Sequence, residues 1–361
     1  MKAFLISDTH LGSHPIKLDY WLYDVVKDYF DNFFFPTIEK YKEDGDIIIH
    51  LGDFFDDRSI LPVNVIDYGV ELVEKMASIL PVHIILGNHD IYTEYDNSIH
   101  SMKWTKHINN VTLYENPKLI KLSTKNALMM PWMQYKKDER ELLNKTKADY
   151  VFCHSDLKGA YNNKKVKMRG GMDIKDFKNF KQVWSGHIHL RQKTYNFQFV
   201  GSPYHLTRHD IDDQKGLYIL DIDKGTYDFI PNKISPEYKI LEITKAEDIK
   251  KLNLDNYNKD RIDLKISNKL LIENKEIRSK VEELLQNNKF EKIDWQDEIE
   301  LEDVVDEADV DFVEGEVDYN IKKLTYEYVN KQKFEENSII KDHILKILDQ
   351  MFEIYETTKK D

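Results

Sequence analysis

Five short polar segments within the first 189 residues of the chain each close an apolar run. They are Asp8-Thr9-His10, Gly52-Asp53-Phe54-Phe55-Asp56, Gly87-Asn88-His89-Asp90, His154 and Gly186-His187-Ile188-His189. The runs before them, such as residues 1–7, 47–51 and 82–86, are too short for helices and rich in Ile, Val and Leu, so they read as buried strands. A fold that accepts this pattern must bring the ends of several strands to one edge. Open α/β sheets do this, and they place their ligands beyond the carboxyl ends of their strands.

The segments between the early strands have helical spacing. Leu18, Leu22, Val25, Tyr29 and Phe33 fall on one face, and Pro36 should bend or end that helix. Pro62 stands at a helix start, followed by a stripe of Val65, Tyr68, Leu72 and Met76. Further strands are expected at 127–130, 150–153, 182–184, 197–200 and 217–222. Strands and helices alternate early and strands dominate later, which predicts a layered α/β core.

A length of 361 residues allows more than one domain. Pro231 and Pro236 flank a turn-rich stretch, so the first domain is expected to span 1–232. Residues 233–296 read as a small α+β domain, with strands at 238–243 and 261–266 and a helix near 275–285 carrying Ile277, Val281 and Leu284. Residues 297–318 hold twelve acidic side chains and no Lys or Arg, the mark of a linker. A helical tail is expected over 319–361. Ile340, Ile344, Ile347, Met351 and Ile354 form its apolar stripe, with Asn337 or Ser338 as cap.

The formal charge of −13 speaks at first against a nucleic-acid partner. Without the twelve charges of 297–318, however, the rest of the chain stands at −1, so charge alone decides nothing. No apolar run is long enough to span a membrane, and the sequence opens directly on a strand, without the pattern of a signal peptide. The single cysteine, Cys153, excludes an internal disulfide and suits a cytoplasmic setting. No Gly-Lys phosphate loop is present, so this chain is not itself an ATPase.

The five segments together supply ligands for two divalent ions, and a metal pair of this kind usually hydrolyses phosphate esters. Asp8 and His10 are expected to hold one ion, Asp53 to bridge, and Asn88 and His154 to hold the other. His187 and His189 would divide between the two. A mixed oxygen and nitrogen set favours Mn, Fe or Zn over Ca or Mg. His89 follows Asn88 and hangs over the site, placed to protonate a leaving oxygen or steady a phosphate. Taken singly, Gly-Asp and Asn-His pairs are common turn residues. The assignment rests on all five in one order. His50 and His83 lie inside strands and read as core histidines. His14, His205 and His209 read as surface residues or neighbours of the site, and Cys153 as a buried strand residue.

These motifs resemble those of the calcineurin-like metallophosphoesterases, whose core is a layered β-sandwich flanked by helices. Gly52–Asp56 and Gly87–Asp90, Trp184-Ser185-Gly186-His187-Ile188-His189 and Gly201-Ser202-Pro203 resemble, more narrowly, the SbcD-type double-strand-break repair nucleases. The Pro131-Trp132-Met133 stretch and the spacing from His154 to His187 are similar to the recombination endonuclease subunits of T-even-type phages. The resemblance covers about 1–232 well and the remainder loosely. It implies a manganese-dependent 3′-to-5′ double-strand exonuclease and single-strand endonuclease, acting as a homodimer with a coiled-coil ABC-type ATPase. It makes 233–296 a DNA-capping domain and 319–361 the segment that docks on the ATPase. It makes His89 catalytic and not a metal ligand, and it places dimer-forming helices at about 64–78 and 97–107. Some branches carry His at the position of Asp56. Aspartate there would orient a ligand through a hydrogen bond.

A competing reading is a stand-alone di-metal phosphatase or cyclic-nucleotide phosphodiesterase. The small domain and tail weigh against it, although the tail stripe is equally consistent with packing on the body. The full set of ligand positions weighs against a scaffold with a dead site.

Overall fold

Period-two alternation sends the side chains of the first strands to two different cores. Phe4, Ile6, Ile48, Val82 and Ile84 pack toward helices, while Ala3, Leu5, Ile47, Ile49 and Ile85 pack toward a second sheet. In a computed structural model of the chain these are β1 (Lys2–Ile6), β2 (Ile47–His50) and β3 (Val82–Ile85), mutually parallel and buried on both faces. The described residues are 1–13, 22–93, 96–162, 166–245 and 260–267, with 248, 279, 348 and the strand backbone of 290–296.

A hairpin of β4 (Ile91–Thr93) and β5 (Asp96–His100) follows, and β6 (Val111–Tyr114) then joins β3. The chain crosses to a second sheet through β7 (Lys118–Leu122), β8 (Lys125–Met130), β9 (Tyr150–His154), β10 (Gln182–Gly186), β11 (Gln192–Thr194) and β12 (Phe197–Phe199). It returns with β13 (Gly216–Asp221) and β14 (Tyr227–Pro231). The sheets run β14-β13-β1-β2-β3-β6 and β11-β12-β10-β9-β8-β7. Helices α1 (Leu22–Tyr29), α2 (Phe35–Tyr41) and α3 (Val63–Ile79) cover the first sheet, and α4 (Lys136–Lys145) covers the second. The result is the layered sandwich expected of the sequence, helix on sheet on sheet on helix.

Two local expectations are sharpened or overturned. Pro36 bends its helix and does not end it. A π turn at Phe30–Phe34 lets the Phe35 N–H reach Phe30 O, so Pro36 falls in the first turn of α2, where its missing N–H is not needed. The dimer helix expected at 97–107 is not a helix. The segment is β5 followed by a 3₁₀ turn, Lys103–His107. Pairing with β4 satisfies its backbone, Ser101 N–H donates to Asp90 O at 2.8 Å, and Asn97 Nδ2 donates to Glu115 O at 3.0 Å. These long-range partners hold the segment as a strand and a turn. The other expected dimer helix, 64–78, is helical as part of α3.

A third sheet holds β15 (Tyr238–Ile243), β16 (Arg261–Ser267) and β17 (Phe290–Gln296), all parallel. It is tied to the main sheets by Arg208, whose Nε reaches both oxygens of Asp263 at 3.1 and 2.8 Å, and by Tyr238 N–H donating to His205 Nδ1 at 3.0 Å. The chain divides into two units, Met1–Ile299 and Glu300–Asp361. The helix expected near 275–285, the acidic stretch 297–318 and the tail lie outside the described residues, apart from Ser279 and Leu348, and so do Leu18 and His14. No helix among the described residues is long and apolar enough to cross a membrane.

Candidate metal centre

The loops after β1, β2, β3, β9 and β10 are tied to one another by their own backbones. Asp8 N–H donates to Gly52 O at 3.0 Å and His10 N–H to Asp53 O at 3.1 Å, and His187 N–H donates to Asp8 Oδ1 at 2.9 Å. The turns that do this are strained. Asp8 (φ 53°), His10 (φ 43°), Asp53 (φ 53°) and His187 (φ 85°) all occupy the left-handed region, where non-glycine residues are uncommon outside functional sites. Glycine permits the crowding. A Cβ on Gly52 would lie 2.6 Å from both Gly87 N and His154 Nδ1.

Two ligand groups result. Asp8, His10 and His189 offer atoms within 4.8 Å of one another, and so do Asp53, His154 and His187. Asn88 completes the second group, its Oδ1 lying 3.0 Å from His154 Nε2 and 2.8 Å from His187 Nδ1. Asp53 stands between the groups. Its Oδ2 is 3.2 Å from His154 Nε2 and 3.7 Å from His10 Nε2, while Oδ1 accepts the His89 N–H at 2.7 Å.

Hydrogen bonds on the far side of the rings decide which nitrogens face inward. His154 donates Nδ1–H to Leu51 O at 2.7 Å, so its Nε2 lone pair confronts Asn88 Oδ1 and Asp53 Oδ2. His10 Nδ1 is 2.8 Å from Asp56 Oδ1, which leaves His10 Nε2 facing His189 Nε2 at 3.0 Å. Acceptors aimed at acceptors require a proton or a cation between them. Asp8 Oδ2 is buried among the same atoms and has no hydrogen-bond partner among the described residues. This donor set fits a pair of divalent cations of the Mn, Fe or Zn type.

The titration of the groups agrees. Burial, then the neighbouring His154, holds His187 down at about 4, and burial, then His10, holds His189 down at about 3, so both are neutral and ready to ligate near pH 7. Burial would lower His154 too, but the Asp53 carboxylate outweighs it and lifts the group to about 9. That proton stands where a cation would.

His89 donates Nδ1–H to Asp56 O at 2.6 Å, which frees Nε2, and its ring lies edge-on to His10 at 4.8 Å. His89, His10 and Asp56 also offer atoms within 4.8 Å of one another. Trp132 lies against His187, ring centroids 5.0 Å apart, and Lys136 Nζ sits 4.3 Å above the Trp132 ring, held by Asp156 at 2.9 Å.

Residues beyond the expected set also build the site. Asp90 is fully buried and accepts four backbone N–H groups, from Asp53 (2.9 Å) and Gly87 (2.8 Å) on Oδ2 and from Phe54 (2.9 Å) and Phe55 (3.4 Å) on Oδ1. It clamps the Asp53 turn to the Asn88 turn. Its place at the end of the Gly-Asn-His-Asp motif was the only signal. Buried Lys215 donates to His189 O at 2.7 Å and pairs with Asp210 (2.5 Å) and Asp213 (2.8 Å). No sequence signal marked it.

The remaining histidines have structural partners. His50 is buried between Thr9 Oγ1 (3.1 Å) and the Gly52 N–H (3.2 Å), and His83 reaches Tyr114 Oη at 2.7 Å. His205 is not a surface residue. It is buried, accepting from Tyr238 N–H and lying 3.0 Å from Asp213 O, because it joins the third sheet to the body. His209 is exposed, and Cys153 is buried in its strand.

The family pattern of the calcineurin-like phosphoesterases matches residues 1–191, which contain all five motifs. Over 241 residues the chain is 30% identical to exonuclease subunit 1 of Enterobacteria phage T4, spanning 64% of this chain and 68% of that protein. A solved archaeal phosphodiesterase aligns over 64% of this chain and 100% of its own at 16% identity, with a TM-score of 0.34, too slight a likeness to carry weight. The chain belongs to the calcineurin-like phosphoesterase family.

Proposed function

We propose that this chain is the nuclease subunit of a DNA recombination or repair complex. It would act with manganese as a 3′-to-5′ exonuclease on double-stranded ends and an endonuclease on single strands. The observation that carries the reading is Asp53, one carboxylate set 3.2 Å from His154 and 3.7 Å from His10, between two ligand groups. The 30% identity to a phage exonuclease subunit supports DNA as the ester.

Asp8, His10 and His189 on one side, Asn88, His154 and His187 on the other, and Asp53 between the two sets would hold two divalent ions, which when bound would supply Lewis acidity for hydrolysis of a phosphate ester. His89 commits its Nδ1 proton to Asp56 O, so Nε2 is the atom that holds or delivers a proton at the leaving oxygen. Asp56 fixes the His10 tautomer through its carboxylate and the His89 ring through its carbonyl. Trp132 packs against the His187 ring and limits its movement.

In this reading residues 1–232 are the nuclease domain, 233–296 cap it over DNA, 297–318 link, and 319–361 dock on a coiled-coil ABC-type ATPase in the cytoplasm. Apolar exposure supports a homodimer: Ile60, Val63 and Ile66 lie at or near the start of α3, and Tyr92 and Ile99 lie on the β4-β5 hairpin. The test is a manganese-dependent assay on labelled duplex and single-stranded DNA beside bis(p-nitrophenyl) phosphate. Cleavage of the small ester without cleavage of DNA would replace this reading with a stand-alone phosphodiesterase.

A further inference from the structure

The segment between His154 and His187 carries a charge opposite to that of the rest of the chain. Residues 157–172 hold Lys158, Lys164, Lys165, Lys167 and Arg169 and no acidic residue, in a chain of net charge −13. Its two described arms, 157–162 and 166–172, pair with each other as in a hairpin. Leu157 bridges Met172 and Tyr161 bridges Lys167, while Gly159 N–H donates to Met168 O and Met168 N–H to Ala160 O, each at 2.8 Å. The root is apolar and buried through Leu157, Ala160 and Met172. Lys158, Lys167 and Arg169 are exposed, and none makes an ion pair among the described residues.

Both ligand loops of the second sheet hold this hairpin. Met172 N–H donates at 3.0 Å to the carbonyl of Asp156, which follows His154 by two residues. Gln192, three residues beyond His189, clasps the Tyr161 backbone in both directions: it accepts the N–H at 2.8 Å and donates to the carbonyl at 2.7 Å. The Lys167 ammonium lies 4.9 Å from the Tyr161 ring. The hairpin needs its apolar root and the Gln192 clasp to fold. It does not need Lys158, Lys167 and Arg169, whose like charges repel one another unless an anion answers them.

We propose that Lys158, Lys167 and Arg169 of this hairpin bind the phosphodiester backbone of the DNA strand being cut, and that they give the enzyme its preference for a polymer over a small ester. The inference rests on the nuclease reading above. Backbone phosphates repeat at nucleotide spacing, which suits several separate cations better than a single anionic group does, and such contacts position a strand without reading its sequence.

The test uses the full chain with Lys158→Gln, Lys167→Gln and Arg169→Gln combined. These residues are exposed and outside the metal centre. DNA affinity is measured by anisotropy across a salt series, and hydrolysis of bis(p-nitrophenyl) phosphate is measured alongside. The expected result is kcat and KM on the small ester within about two-fold of the parent. DNA should bind at least about ten-fold more weakly near 0.1 M salt, with the log–log salt slope shallower by roughly 0.7–0.9 for each phosphate no longer neutralised. An unchanged slope and affinity, with DNA still cut by the parent chain, would overturn the hairpin assignment alone. A rise in DNA affinity would also overturn it. A parent chain that hydrolyses the small ester but neither binds nor cuts DNA sinks the nuclease reading and this inference with it.

Discussion

Asp90→Asn separates the clamp from the ligands it serves. The carboxylate gives two oxygens to four N–H donors: Oδ2 to Asp53 and Gly87, Oδ1 to Phe54 and Phe55. An asparagine keeps one oxygen. With that oxygen toward Asp53 and Gly87, the new amide faces the Phe54 and Phe55 N–H groups, donor against donor, in a fully buried place. An orphaned buried donor costs about 1–3 kcal/mol, and the Phe55 hydrogen bond, at 3.4 Å, counts toward the low end. Burial and the nearby Asp53 carboxylate push Asp90 up to about 7, so loss of its charge relieves some repulsion. The net expectation is about 2–4 kcal/mol of lost stability. Manganese affinity should weaken with it, since the Asp53 and Asn88 turns are no longer held together. Urea unfolding of the metal-free chain gives the first quantity and titration calorimetry with Mn²⁺ the second. A variant within about 0.5 kcal/mol of the parent, with unchanged metal affinity, would refute the clamp, since substitutions away from such features stay in that range.

Four further outcomes are expected. His89→Ala should keep its manganese by elemental analysis while losing roughly 10²–10⁴-fold in cleavage rate; metal loss instead would make His89 a ligand. Lys215→Met leaves the buried Asp210 and Asp213 carboxylates uncompensated and should cost about 3–5 kcal/mol in urea unfolding, partly restored by adding Asp210→Asn. Burial holds His83 down at about 4, below its ordinary value, so the folded chain takes up its proton less readily than the unfolded one. Its contribution is present above about pH 6.5 and is lost as pH falls. By pH 5 the loss should reach about 2 kcal/mol, a drop absent in His83→Gln; an identical pH profile in the variant would count against it. Finally, deletion of 319–361 should spare DNA cleavage and abolish co-purification with the ATPase, and retained binding would disprove the docking role.

Much of the site was legible because its ligands follow strands whose apolar alternation is itself legible. The Phe4/Leu5 and Ile48/Ile49 alternation assigns faces before any contact is known, and the residues just past each run then fall at one edge. Asp90 shows where this stops. It stands in a motif, but its value lies in four donors, three of them 35 to 37 residues away. The 97–107 segment shows the opposite failure. Its relation to known relatives suggested a helix, and pairing with Ile91–Thr93 made part of it a strand.

The order and kind of the polar residues, the layered α/β class and the oxygen–nitrogen donor set follow from sequence alone, since they depend on composition and on periods of two or 3.6 along the chain. Tertiary structure decided the rest. It set His10 against Asp56 across 46 residues, Lys215 beneath His189, and a basic hairpin clasped by Gln192 beside the ligand loops. The physical reason is that sheet register and loop strain determine which distant side chains meet, and neither leaves a period in the sequence.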